Sequence, residues 1–445
     1  MPPSIQQILS AVEARRGDVE HLFASLAAGS PGNPGILRDT YGAGENFAHS
    51  LMADHAKALS LTITQDAALN TFATWQGSNP QAGSIIMGSH LDSVPHGGNF
   101  DGAAGVVAGL AVIAALKDLG VKPACDVIAM GVRAEESVWF GVSYIGSRSA
   151  LGSLPDGGLE ARRIDTNRTL AEHIAECGGD PQAIARREKS LDPSSIRAFL
   201  EVHIEQAPSL VEMQVPLAIC SGIPGNFRYP EANITGRQDH VGTPRRFRRD
   251  AAMAAADLAM AMDAKWREEE AAGVPLAVTF GRFHTDSAVH GMTSVPGAFA
   301  FSLDVRAYDP SVLARLEAFF LEQVARIERE RGVRFELGKR ASAAVGVMSQ
   351  KIISEMQTAA AAAGLNVTQI GSPASHDSAA FAEAGVAATM LFVRNENGSH
   401  NPDEAMEIND FMKACALLAL WVADHVGPPL EETVTRANSC VETSA

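Results

Sequence analysis

The chain reads as an α/β protein in which a larger domain, built on a mostly parallel sheet, is interrupted by a smaller α+β domain. Three observations predict this. Apolar runs of strand length alternate with apolar runs of helix length in both the first and last thirds, the pattern of a sheet fed by crossover helices. Between them, over residues 215–342, the order changes to β-α-β-β-α-β, the split βαβ or ferredoxin-like arrangement. At 445 residues the chain is also too long for one core, since single cores stop growing near ~250–300 residues.

The elements follow in order. Residues 5–26 and 45–59 carry apolar side chains at helical spacing. Segments 61–64, 69–75 and 84–88 read as short strands parted by turn residues such as Gly77-Ser78-Asn79-Pro80. A glycine-rich loop after His90 leads into an apolar helix over 104–119 and a strand over 125–132. The smaller domain predicts a strand over 217–223 continuing through 227–235, a helix over 251–269 and strands over 276–283 and 298–305. A helix over 310–331 and a strand over 333–337 complete it. The first pattern then resumes: helix 350–363, strand 366–370, helix 378–384, strand 388–393 and a closing helix over 409–425. Residues 1–214 and 343–445 therefore form one discontinuous domain around the insertion at 215–342. The polar tail from Gly427 is expected to be mobile.

Charge and composition narrow the function. With 36 Lys and Arg against 52 Asp and Glu, the formal charge of −16 repels phosphate backbones and anionic lipid, which excludes nucleic acid and membrane surfaces as partners. No apolar stretch approaches the ~20 residues of a spanning helix. The polar N-terminus is unlike a secretory signal. Five cysteines, odd in number and without a CxxC pair, read as reduced thiols of a cytoplasmic protein. The basic run at 245–249 is short and reads as a solvated face.

Five stretches combine metal-type ligands with loop positions, most of them at or just past the end of an apolar strand, where an open α/β sheet gathers its functional loops. They are GSHLDSVPHGGNFDG around His90 and Asp101, RAEES at Glu135-Glu136, EVHIEQ around His203, QDHVGTP around His240 and NGSHNPDE around His400. A lone histidine or aspartate beside a glycine loop is more often a surface hydrogen-bonding residue. Together, His90, Asp101, Glu136, His203 and His400 make three imidazoles and two carboxylates, a set suited to Zn, Mn, Co or Ni. An odd carboxylate such as Asp101 can bridge two ions, leaving two further ligands for each. Ions paired ~3.5–4 Å apart bind a water between them, acidify it and polarise an amide carbonyl. The adjacent acids Glu135 and Glu136 repel unless a cation or shared proton stabilises them. A metal ligand at Glu136 beside a general base at Glu135 uses both. No G-x-S-x-G elbow or phosphate-binding loop is present, which disfavours serine-hydrolase and nucleotide chemistry.

These motifs, with EESVWFGVSYIGSR, HIEQAPSL, DHVGTP followed by RRDA, SLDVR and SHDSAAFA, make the chain resemble the dinuclear-metal aminoacylase and carboxypeptidase superfamily. The resemblance is to its amidase, hydantoinase and carbamoylase branch and covers about residues 36–426. It implies two divalent ions per chain, one held by His90 and His203 and the other by Glu136 and His400, with Asp101 bridging. It puts the catalytic base at Glu135, and at Asp92 an acid that orients the metal-binding imidazole. The insertion is implied to be a lid through which two chains pair as a homodimer, with His240 reaching the partner's site to polarise the scissile carbonyl. Gln206 and Arg306 fall on substrate-binding positions, and a guanidinium suits bidentate capture of a carboxylate. Asn226 and Arg394 are further candidates for substrate contact, and His376 for a place beside the metal ligands. Thr293, Pro373, Ser375 and Ala207 depart from the residues common in that branch and leave specificity open. The expected function is hydrolysis of a linear C–N bond in a small anionic N-carbamoyl-amino acid or ureido acid. Its rivals are an allantoate-type ureide, an N-acyl-amino acid or dipeptide, and a catalytically silent dimeric binding protein.

Overall fold

The computed structural model describes residues 3–427; the rest of the polar tail, expected to be mobile, and Cys440 lie outside the described residues. In chain order the strands begin with β1 (Thr62–Gln65), β2 (Thr71–Trp75), β3 (Ser84–His90), β4 (Asp126–Val132), β5 (Ile196–Ile204) and β6 (Leu217–Cys220). There follow β7 (Gly225–Thr235), β8 (Asp239–His240), β9 (Leu276–Thr279), β10 (Phe283–Thr285), β11 (Ser294–Val295) and β12 (Ala298–Ala307). The last are β13 (Arg334–Glu336), β14 (Ala341–Ala343), β15 (Val367–Ile370), β16 (Ala388–Val393), β17 (Asn395–Glu396) and β18 (Ala405–Met406).

An eight-stranded sheet runs in the order β1-β2-β4-β3-β5-β16-β6-β15. Its central strands β4, β3, β5 and β16 are mutually parallel, so their carboxyl ends emerge on one side. Registers that set His90 beside Val132 and His203 beside Phe392 bring those ends level. Parallel strands are covered on both faces and read as continuous apolar runs, which is why β3, β4 and β16 are buried almost end to end. The helix Ala103–Asp118 is buried from Ala103 through Leu116 and packs on β3 and on the closing helix Ile408–His425. A helix apolar all round belongs inside, and this one seals the sheet beneath the site.

A second, antiparallel sheet is ordered β10-β12-β7-β13, with β9 also on β12 and β14 also on β7. Alternate residues of β12, Phe299, Phe301, Leu303, Val305 and Ala307, are buried in one core with the helices Ala251–Ala271 and Pro310–Arg331. The opposite face of β12 carries Asp304 and Arg306 and stays half-exposed. This unit has its own core, separate from that of the large sheet.

The elements differ from expectation at three points. Residues 217–220, expected in the inserted unit, instead form β6 of the large sheet, antiparallel to β16 and parallel to β15. An apolar run of four fits either sheet by pattern alone, so its partners cannot be read from periodicity. The smaller sheet starts at Gly225, and a bridge between Ile223 and Gly346 sets the two crossings of the chain side by side. The expected helix over 5–26 breaks at Ala14-Arg15 into Ile5–Glu13 and Arg16–Gly29. The expected strand over 276–283 divides into β9 and β10. No helix among the described residues is long and apolar enough to cross a membrane.

Candidate metal centre

The site lies where β3, β4, β5 and β16 end. His90 is the last residue of β3 and His203 the last but one of β5, and their Nε2 atoms stand 3.5 Å apart. Each ring is held from behind: His90 Nδ1 lies 3.0 Å from the Asp92 carbonyl, and His203 Nδ1 lies 2.9 Å from that of Ile204. Each ring therefore turns its Nε2 toward the site, the atom that can hold a cation when Nδ1 is the donor.

Asp101 faces both imidazoles and a second group at once. Its Oδ1 lies 3.3 Å from His90 Nε2 and 3.2 Å from His203 Nε2. Its Oδ2 lies 3.4 Å from His400 Nε2, which is itself 3.3 Å from Glu136 Oε1. Two overlapping three-residue groups result, His90-Asp101-His203 and Asp101-Glu136-His400, sharing one carboxylate. The turn that allows this needs Gly102. It sits at φ +66 as N-cap of the helix Ala103–Asp118, and a Cβ there would lie 2.5 Å from the His90 ring.

The residues fit a pair of cations. Asp101 Oδ1 is buried and accepts no well-directed hydrogen bond among the described residues, although two imidazole nitrogens face it. Burial alone pushes the Asp101 carboxyl up, but the imidazoles of His203, His400 and His90 outweigh it and hold it well below the usual carboxylate range. Asp101 and then Glu136 lift His400 to about 11. His90 is also raised well above the ordinary histidine value, because Asp101 and Asp92 overcome the opposing effect of burial. The cluster therefore favours positive charge at the points between its oxygens and nitrogens. Three nitrogen and two oxygen donors without a thiolate suit borderline divalent ions.

Glu135 and Glu136 are the third and fourth residues after β4, and both are buried. Asp92, fully buried, fixes their backbone: its Oδ1 accepts the Glu135 N–H at 3.0 Å and its Oδ2 the Glu136 N–H at 3.2 Å. Thr40 donates its hydroxyl to the same Oδ2 at 2.6 Å. Asp92 Oδ1 is also 3.4 Å from His90 Nδ1, so one side chain positions ligand and acids together. Burial first, and then the neighbouring acids against the pull of His90, push the Glu135 carboxyl well above its usual range.

His376 packs against His203 with ring centroids 4.3 Å apart. Its buried Nε2 has no hydrogen-bond partner among the described residues, and burial followed by the His203 charge holds its pKa well below normal. Glu201, in the same neighbourhood, is taken by the hydroxyls of Ser89 and Ser378 and by the Ser378 N–H, and braces the floor of the site.

The other sequence candidates are placed differently. Gln206 donates from Nε2 to Asp101 Oδ2 at 2.8 Å and so touches the shared carboxylate directly. Arg306 pairs with Asp304 two residues earlier on β12, with contacts of 3.2 Å. It lines a cleft of about 310 Å³ with Trp266, Glu270, Tyr308 and Pro373. Asn226 accepts the Ala343 N–H at 3.1 Å and serves β7-β14 pairing. Arg394 is paired with the buried Asp410 at 2.7 Å, which accounts for it as an internal ion pair. His240, exposed on the small β8-β11 ribbon, has no hydrogen bond or ion pair to the cluster among the described residues, and its Nδ1 accepts the Gly242 N–H. Sequence reasoning passed over Arg38, Thr40, Ser399 and Glu404, which all contact the loop or its acids. Glu404 and Ser399 lay inside the NGSHNPDE stretch, whereas nothing local distinguishes Arg38.

An α/β protein with paired histidine–carboxylate groups at the carboxyl ends of parallel strands is the class that fold and site define. The chain belongs to the peptidase family M20/M25/M40, whose model matches residues 86–424. It is similar to an N-carbamoyl-L-amino acid amidohydrolase of Geobacillus stearothermophilus, 32% identical over 83% of this chain and 88% of that one. A ureidoglycolate hydrolase of Arabidopsis thaliana is 27% identical over 88% of this chain and 82% of its own. Among solved structures, a hydantoinase/carbamoylase family amidase from Burkholderia ambifaria superposes with a TM-score of 0.77 at 25% identity, covering 93% of this chain and 98% of that one.

Proposed function

We propose that this protein hydrolyses a linear C–N bond of an N-carbamoyl-amino acid or related ureido acid, using two divalent transition ions per chain. The observation that carries the reading is the Asp101 carboxylate, which presents Oδ1 to His90 and His203 and Oδ2 to His400, itself 3.3 Å from Glu136, whose neighbour in the chain is Glu135. Bound there, Zn, Mn, Co or Ni ions would acidify a water and polarise the ureido carbonyl.

The protein's own residues do the rest. Glu135 accepts the proton of the attacking water and returns it to the leaving nitrogen, and burial, by raising its carboxyl's affinity for a proton, suits it to hold that proton between the two steps. Asp92 fixes the backbone of both acids so that Glu136 binds metal while Glu135 stays free to move a proton. Gln206 steadies the bridging carboxylate. Arg306 exchanges Asp304 for the substrate carboxylate, a guanidinium–carboxylate pairing of matched geometry. Two chains pair through the inserted unit as a lid, and His240 of each polarises the carbonyl in the other's site. Cleavage of a carbamoyl group by water leaves the free amine and carbamic acid, which breaks down to ammonia and carbon dioxide. Buried free thiols at Cys125, Cys220 and Cys415 suit the cytoplasm.

A substrate panel tests this. N-carbamoyl-amino acids, allantoate-type ureides, N-acyl-amino acids and dipeptides are offered to chelator-stripped and Mn-, Co-, Ni- or Zn-reconstituted protein, reading ammonia beside free amine. The proposal expects no turnover when stripped and equal ammonia and amine from a carbamoyl substrate when reconstituted. Amine without ammonia, from acyl substrates alone, overturns it in favour of an acylase or dipeptidase, and no turnover at all in favour of a binding protein.

A further inference from the structure

We propose that Glu404 and Arg38 are positioning residues that grip the Asp101 peptide from both sides and set the direction in which its carboxylate faces the two ions. The inference rests on the two-ion reading above.

The grip is visible atom by atom. Glu404 Oε1 accepts the N–H of Phe100 at 2.8 Å and of Asp101 at 3.2 Å. On the other side of the same residue, Arg38 Nη2 donates to the Asp101 carbonyl at 3.3 Å. Arg38 is completely buried, and its remaining side-chain donors go to the Leu91 carbonyl and to the carbonyl and side-chain oxygens of Asn99. A buried cation is costly unless it is compensated. Here it is spent on the main chain of the metal loop, while the acids Glu404, Asp101, Asp92 and Glu136 surround it at longer range. Glu404 enters the loop through Gly98, where a Cβ would come within 2.4 Å of its side chain. The Ser399 hydroxyl stands 2.8 Å from Glu404 Oε2 and 2.5 Å from Asp101 Oδ2, joining the two carboxylates next to His400.

The consequence is specific to a shared ligand. Rotating the Asp101 peptide moves both carboxylate oxygens, so a loosened grip disturbs both ions at once. Loss of an unshared ligand such as His400 disturbs mainly one. A generic structural role predicts neither pattern, only a less stable protein.

The test is Mn²⁺ binding by calorimetry to the chelator-stripped full chain, comparing wild type, Glu404→Ala, Arg38→Lys and His400→Ala, with thermal melts of the stripped proteins as control. Glu404→Ala removes the one oxygen that accepts both N–H groups and is expected to weaken both dissociation constants by about 10–100-fold, the usual effect of losing a group that orients a ligand. Its kcat should fall with KM little changed, while the stripped protein still melts cooperatively. Arg38→Lys keeps the charge but not the fork, and is expected to do the same. His400→Ala should weaken one site only. A folded Glu404→Ala with both constants unchanged, or with one alone weakened, overturns the proposal. If Glu404→Ala does not fold, Arg38→Lys decides the question by the same two-site criterion. A wild-type chain that binds fewer than two ions overturns the two-ion reading and this inference with it; two ions in wild type and unchanged binding in the variants overturn the grip alone.

Discussion

Replacing Asp92 by asparagine changes one oxygen to an amide nitrogen in a fully buried side chain. In the native protein two oxygens serve three donors: the Glu135 N–H, the Glu136 N–H and the Thr40 hydroxyl. The asparagine oxygen reaches one of the two backbone donors, and the NH2 group faces the other. The Thr40 hydroxyl turns to suit either arrangement, so one buried N–H loses its acceptor. An unsatisfied buried donor costs ~1–3 kcal/mol. Asp92→Ala strands both N–H groups and the hydroxyl, on the same scale about 3–9 kcal/mol in total, comparable to the ~5–15 kcal/mol by which a domain is stable. Asp92→Asn should therefore fold and Asp92→Ala should not accumulate as soluble protein. The functional effect of Asp92→Asn should exceed its effect on stability, because the repelled peptide carries Glu135 or Glu136, and displacement of a reacting group by about 1 Å costs ~100-fold in rate. Urea unfolding can be followed by the fluorescence of Trp139, whose indole donates to the Ser93 carbonyl next to the site at 2.9 Å. Turnover on the carbamoyl substrate is measured in parallel. Asp92→Asn with wild-type turnover, or Asp92→Ala with wild-type stability, would refute the assignment of Asp92 as the brace of both acids.

Glu135→Gln should cut turnover by ~10²–10⁴-fold, the contribution of a general base, with metal content unchanged; elemental analysis beside kinetics checks it, and lost metal would make Glu135 a ligand instead. Gly102→Ala forces a left-handed backbone on a residue with a Cβ, at ~1–2 kcal/mol, and drives that Cβ into the His90 ring. It should lower the melting temperature and weaken metal at the His90–His203 pair before the His400 pair, as competition titration would reveal. Chains carrying His240→Ala co-expressed with chains carrying Glu135→Gln should regain activity, up to about half per mixed dimer when sites act independently. A fully active monomer, or mixed dimers without recovery, would contradict exchange of His240 between subunits.

Much of the large domain was legible because parallel strands must be apolar along their whole length, and β3, β4 and β16 announce themselves that way. The candidate ligands were legible for a related reason: they lie at or beyond the carboxyl ends of those strands, so the strand pattern says where to look. Pattern alone places β6 in the wrong sheet because LAIC is apolar on both faces and carries no trace of its partners. Residues 145–195 form only short helices, and no periodicity marks them in advance. That the Gln206 amide reaches Asp101 is a relation set by the turn at its own φ of +64 rather than by residue type. Arg306 and Arg394 found carboxylates at Asp304 and Asp410, the commonest fate of an arginine, and only the fold shows which acid is near. Arg38 escaped notice because it acts across 63 residues on a loop it does not adjoin.

The central claim is that one carboxylate, Asp101, serves two ions in each chain. Elemental analysis of purified wild type, His400→Ala and Asp101→Ala, each loaded with Mn²⁺ and freed of excess metal, tests it most directly. The account predicts two ions per chain in wild type, about one in His400→Ala and close to none in Asp101→Ala. An Asp101→Ala protein that folds and still retains one or two tightly bound ions contradicts it.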